Sequence, residues 1–127
     1  MLSSEGKYIL VVDDLADNLL LLKTVLEAEG YVVEVASNGS SALEKVEAMP
    51  PDLLLLDVMM PDMTGYEVAQ RIRQSERLAS IPIVLITAYD EIKSSQGKLV
   101  GADDFIRKPI DFDELLSRVR SYAKQPA

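Results

Sequence analysis

The chain has 127 residues, 48% of them apolar and 27% charged, which is the balance of one globular domain able to bury its own core. Acids outnumber bases 21 to 13, for a net charge of −8, which argues against a sequence-independent hold on nucleic-acid phosphates. With no Cys and no His, the chain has no disulfides, no thiolate or imidazole metal site, no Ser-His triad and no phosphohistidine of its own, so any metal must sit on oxygen ligands, as Mg²⁺, Mn²⁺ or Ca²⁺ do.

Tyr8 to Val12 (YILVV) is a nearly continuous apolar run and predicts a strand buried on both faces. Asp17 to Glu29 predicts a helix stopped by Gly30 in a left-handed cap. Its Leu19 to Leu22 run spans more arc than one buried stripe, so at least one Leu is expected in solvent. Tyr31 to Ala36 predicts an edge strand, because Glu34 breaks the run. Ser41 to Ala48 predicts a helix ending before Pro50 and Pro51, and Asp52 to Asp57 a third strand. Tyr66 to Ser75 predicts a helix after Gly65, and Ile81 to Thr87 a fourth strand. Glu91 to Val100 predicts a helix stopping at Gly101, the weakest of the set because of Ser94, Ser95 and Gly97. Asp104 to Lys108 is short and mixed, more like a second edge. Asp111 caps a last helix reaching about Ala123, with Glu114 completing a capping box. The alternation is (βα)₅, a three-layer α/β domain with a short tail from Lys124 to Ala127. No basic-then-apolar leader and no apolar stretch of about 20 residues occurs, so a soluble, cytoplasmic protein is expected.

In an open parallel sheet, ligands bind beyond the carboxyl ends of the strands. Asp13 and Asp14 follow the first strand, Asp57 ends the third, Thr87 ends the fourth, and Lys108-Pro109 ends the fifth. Alone, each has a plain alternative: a helix cap, a loop acid, a satisfied hydroxyl, a turn. All of them at successive strand ends do not. If the first and third strands are neighbours, three carboxylates converge. At separations of about 5 Å and an effective dielectric of about 20, each ionised pair repels by about 3 kcal/mol. A hard cation relieves this, and Mg²⁺ favours a few carboxylates, waters and a phosphate oxygen.

The segments VVDD (Val11 to Asp14), LLLLDVMMPDMTGYE (Leu53 to Glu67), LITA (Leu85 to Ala88) and GADDFIRKP (Gly101 to Pro109) resemble those of a bacterial two-component response-regulator receiver domain, of the single-domain chemotaxis-regulator kind. The likeness covers about residues 7 to 122. It implies a flavodoxin-like three-layer sandwich with strand order 2-1-3-4-5. It further implies that Asp57 is the phosphoacceptor, and that Asp14 ligates Mg²⁺ directly while Asp13 acts mainly through metal-bound water. The backbone carbonyl of Met59 would be another ligand, with Mn²⁺ as a substitute metal. Lys108 would contact a phosphoryl oxygen, Thr87 would turn its hydroxyl to the phosphoryl group, Phe105 would hold the aromatic switch position, and Pro109 would follow a cis bond. Ala88 would leave the donor access.

With no His in the chain, the implied donor is a sensor histidine kinase, a phosphotransfer protein or a small phosphodonor. The implied output is a changed surface on the fourth helix, fifth strand and fifth helix, read by a downstream protein or a fused effector, with no direct nucleic-acid or membrane contact. A monomer or a phosphorylation-dependent homodimer is expected. Asp103, Asp104, Arg107 and Arg118 either support such a dimer or form a solvated face. Met59 and Tyr89, two residues after Asp57 and Thr87, carry no acid or amide to orient water, so a long phosphoryl lifetime is expected. Leu15 stands where many relatives carry a polar residue.

Three other classes compete with this reading. An aspartyl-phosphate hydrolase of the haloacid dehalogenase kind needs an acid where Met59 stands. A flavin or nucleotide module needs a Gly-rich or Walker cradle, and none occurs. A phosphorylation-independent scaffold of this shape usually lacks one of the acids or the lysine, and all are present. A signalling switch, not a turnover enzyme, is the expectation.

Overall fold

A computed structural model describes residues 7–87 and 101–123. The elements are β1 (Tyr8–Val12), α1 (Ala16–Ala28), β2 (Val32–Ala36), α2 (Gly39–Ala48), β3 (Leu53–Asp57), α3 (Gly65–Arg73), β4 (Ile83–Thr87), β5 (Asp104–Arg107) and a C-terminal helix, α4 (Phe112–Ala123). The helix expected over Glu91 to Val100, together with Ala88, Tyr89 and the tail from Lys124, lies outside the described residues.

The five strands form one parallel sheet in the order β2-β1-β3-β4-β5, so the two strands expected at the edges are the edges. Strand alternation divides the core into two layers. Leu10, Val12, Leu54, Leu56, Ile83 and Leu85 pack with Val46 of α2 and with Val68 and Ile72 of α3. On the other face, Ile9, Val11, Leu53, Leu55, Val84, Ile86 and Ile106 pack with Leu22 and Leu26 of α1 and Leu115 and Val119 of α4. β1, β3 and β4 are buried along their whole length, which is why they read as unbroken Val, Ile and Leu.

Several boundaries differ from the sequence-based expectation for local reasons. α2 begins at Gly39 rather than Ser41, because Asn38 accepts the Ser41 N–H at 2.8 Å and caps the helix. β2 begins after Tyr31, whose N–H turns back to the Leu26 carbonyl (3.3 Å) beyond the left-handed Gly30 (φ 97°). β4 begins at Ile83, because Ile81 donates to Leu78 in the preceding turn and Pro82 has no N–H to give. α3 ends at Arg73, whose guanidinium takes up the carbonyls of Gly101, Ala79 and Ile81 and the Asp103 carboxylate. Asp111 accepts the N–H groups of Asp113 and Glu114, while the Glu114 carboxylate receives Arg118 one turn on.

Among the described residues, no helix is long and apolar enough to cross a membrane. In the leucine run, Leu19 and Leu22 are buried, whereas Leu20 and Leu21 are 65% and 49% exposed. Leu22→Ala is therefore expected to cost about 2–5 kcal/mol in urea unfolding, while Leu20→Ala should stay within about 0.5 kcal/mol.

Candidate functional site

Parallel register brings the chemistry together. Val12 lies beside Leu56, so Asp13 at the end of β1 stands next to Asp57 at the end of β3. Asp57 pairs with Ile86, and Thr87 pairs with Arg107, so Thr87 and Lys108 follow at the next strand ends. Alternation then assigns faces. Asp57 shares the α1/α4 face with Leu53 and Leu55, whereas Thr87 continues the opposite face with Ile83 and Leu85. Phe105 packs into that second layer, next to Leu85 in register.

Asp13 and Asp57 are 2% and 4% exposed, and Asp14 is in solvent. One carboxylate oxygen from each of the three lies within 4.8 Å of the others. Lys108 Nζ stands 3.4 Å from Asp57 and 3.7 Å from Asp13, one ammonium among three acids. Its backbone is tied as well, since Lys108 N–H donates to the Thr87 carbonyl at 2.6 Å; the Lys108–Pro109 bond is cis. Burial pushes the Asp57 carboxyl above its ordinary value of 3.8. The Asp13 charge adds to the rise, Lys108 opposes it by charge and hydrogen bond, and Asp14 raises it further.

The donor set suits a hard cation. Three closely set carboxylates, two of them buried and with one ammonium beside them among the described residues, are a site that gains by binding a divalent ion through oxygen. Asp13, Asp14 and Asp57 would hold it. The plainer role weighed for the acid pair is partly present as well: Asp13 Oδ1 accepts the Leu15 N–H at 2.9 Å, while Leu15, at the N-cap position of α1, makes no side-chain cap.

Thr87 is 7% exposed at the end of β4. The Met59 side chain is 65% exposed, just past β3. Asp103, Asp104 and Arg118, expected at a dimer surface or a solvated face, make bonds within the chain. Arg118 holds Asp104 and the Phe105 carbonyl, Tyr122 also reaches Asp104, and Asp103 takes Arg73 and the Ile83 N–H.

Sequence reasoning passed over two residues here. Asn18, in the first turn of α1, donates its amide to Asp13 Oδ2 at 3.1 Å, and its position one turn beyond the acid pair was the available signal. Asp62 caps α2 from the loop after β3, a contact across 22 residues or more that no local pattern announces.

Comparison with known proteins identifies the family. A family model described as "Response regulator receiver domain" matches residues 9–120. The response regulator PleD of Caulobacter vibrioides is 45% identical over 117 residues, covering 91% of this chain and 26% of that protein. The chain spans between about a quarter and a half of the length of the curated relatives it matches. Among solved structures, a putative response regulator from Chloroflexus aurantiacus superposes with a TM-score of 0.86 at 34% identity, covering 94% of this chain and 99% of that one. TrrA of Thermotoga maritima, solved in complex with Mg²⁺ and BeF, gives a TM-score of 0.83 at 40% identity, with 91% and 98% covered. A family match over residues 9–120, on a five-stranded parallel sheet of order 2-1-3-4-5 that superposes on solved response regulators, means that this protein belongs to the response-regulator receiver domain family.

Proposed function

We propose that the chain is a Mg²⁺-dependent phosphoacceptor switch in which Asp57 receives a phosphoryl group from a phosphohistidine on a partner kinase or phosphotransfer protein. The observation that carries this reading is the buried Asp57 carboxylate held 3.4 Å from Lys108 and within 4.8 Å of two further acids. An Asp57 oxygen attacks phosphorus, the new O–P bond forms an acyl phosphate, and the N–P bond of the donor breaks with its electron pair returning to the imidazole. When bound, Mg²⁺ supplies Lewis acidity and charge neutralisation at the phosphoryl oxygens. Lys108 adds a positive charge beside the receiving oxygen, and Asp13, fixed by Leu15 and Asn18, keeps its carboxylate at the site. Mn²⁺ offers the same oxygen preference.

Entry of the donor protein is supported on the α1 side. A groove of about 270 Å³ runs from Lys108 and Pro109 past Ile110 and Phe112 to Asn18 and Leu21. Leu21, 49% exposed, lines this groove and gives a partner apolar area on the same side as Lys108.

The output follows from the face assignment. A phosphoryl group on Asp57 adds charge and acceptors beside Thr87, which shares its sheet face with Phe105 on the neighbouring strand. A shift of the Thr87 hydroxyl toward that group alters the room for Phe105, and with it the surface of β5 and α4. Such a device is a switch with one acceptor per chain, not a turnover enzyme.

Three outcomes are expected. Acetyl phosphate or beryllofluoride with Mg²⁺ should modify the wild type and leave Asp57→Ala unchanged, read by intact mass for the former and tyrosine fluorescence for the latter; a silent wild type defeats the reading. Met59 offers no group to orient hydrolytic water, so the acyl phosphate should outlast seconds, and decay within seconds would contradict this. Asp57→Asn should raise the melting temperature of the metal-free protein at pH 7. The native state holds the Asp57 proton more tightly than the unfolded chain, so wild-type stability falls as pH rises through the raised pKa. The variant's advantage should shrink on acidification toward 3.8 and on adding Mg²⁺; a pH-independent gain would rule out the ionised carboxylate as its source.

A further inference from the structure

Asp62 lies five residues beyond Asp57, in the loop between β3 and α3, and its carboxylate is occupied by another element. Oδ1 accepts the Gly39 N–H at 3.0 Å, and Oδ2 accepts the Ser40 N–H at 3.1 Å and the Ser40 hydroxyl at 3.2 Å. Gly39 and Ser40 open α2, which already has a cap of its own in Asn38. The helix thus carries two caps, one local and one reaching in from the loop that follows the phosphoacceptor. A carboxylate at the positive end of a helix makes charge-assisted bonds, and these bonds hold the Asp62 carboxyl below its ordinary value.

The same loop is tied at two more points. Gly65 N–H donates to the Val58 carbonyl at 2.9 Å, and the Met60 side chain is buried in the core. Packing leaves little slack. A Cβ on Gly65 would come within 2.5 Å of the Asp57 carbonyl oxygen, and one on Gly39 within 2.8 Å of Met63 Cβ. The loop is therefore fitted between the backbone of Asp57 and the first turn of α2. Met59 sits inside this stretch, between Asp57 and the ties at Met60 and Asp62.

We infer that Asp62 is a positioning residue for phosphoryl transfer: by fastening the loop to the first turn of α2, it sets where the Met59 carbonyl stands relative to the Asp57 carboxylate, and so tunes Mg²⁺ affinity. This rests on the Mg²⁺-dependent reading of the site given above and on the ligand role that the family resemblance implies for the Met59 carbonyl. Its logic is that of an outer residue orienting a ligand it does not itself replace.

Titration with Mg²⁺ alone, followed by amide NMR shifts, tests the inference in the wild type, Asp62→Ala, Asp62→Asn and Asn38→Ala, with thermal melts alongside. Asp62 shares a cleft with Asp14, so loss of its charge also acts on the site; Asp62→Asn removes that charge while keeping an acceptor, and an equal loss in Asp62→Asn and Asp62→Ala overturns the inference. Asn38→Ala removes the other cap of α2 and leaves the loop tie intact, so it controls for helix stability. Asp62→Ala should bind Mg²⁺ about 10-fold more weakly than the wild type. Asp62→Asn, which keeps one acceptor oxygen, should fall between the two, and Asn38→Ala should match the wild type. Wild-type affinity in either Asp62 variant overturns the inference, as does an equal loss in Asn38→Ala. If Asp62→Ala does not fold, Asp62→Asn decides. A wild type that shows no response to Mg²⁺ overturns the functional reading instead.

Discussion

The concentration of negative charge at the carboxyl end of β1 and β3 is the constraint to which the rest of the structure answers. Two of the three acids there are buried, and a single ammonium, Lys108, stands among them. Like charges held this close raise the free energy of the metal-free site. Only a rigid frame keeps them in place. That frame is the parallel sheet, whose three inner strands are buried along their whole length and fix Asp13 and Asp57 by register. The core thus holds together acids that repel one another, and a bound cation relieves that repulsion.

Strand alternation gives the site two sides with different work. Lys108 borders the groove beside α1, whereas Asp14 opens onto a second cleft shared with Asn38 and Asp62. Thr87 and Phe105 belong to the other layer, packed with α2 and α3. The switch proposed for Asp57 would act across the thickness of one sheet. It needs no long chain of intermediaries, since Thr87 stands at the next strand end and Phe105 on the strand after it. The outer surface near β5 is held by Arg118 and Tyr122 on Asp104, so movement there must break or re-form bonds within the chain.

Long-range polar ties finish the frame where backbone pairing stops. Asp52 accepts the Tyr8 N–H at the lower end of the sheet, Arg73 gathers carbonyls around the start of β4 and Gly101, and Asp62 bridges to α2. Gly101, at φ 86° and pressed against the Arg73 side chain, shows why a left-handed residue without a Cβ stands there.

Much of this was legible in the residues themselves. Apolar runs, glycine and proline stops and cap signals are local, so they disclosed the alternating elements, the two edge strands and the half-exposed leucine run. Residues at strand ends are also local, so Asp13, Asp14, Asp57, Thr87 and Lys108 could be named as one set. Their distances could not, because register and neighbour order are properties of the assembled sheet. The start of α2 at Gly39 and the roles of Asn18 and Asp62 likewise appeared only in three dimensions. Hydrogen bonds between segments far apart in the chain leave no periodic trace in either segment. Order along the chain sets which chemical groups are available and at which strand ends; which of them touch is a matter of packing, because contact depends on how the elements assemble and not on their succession.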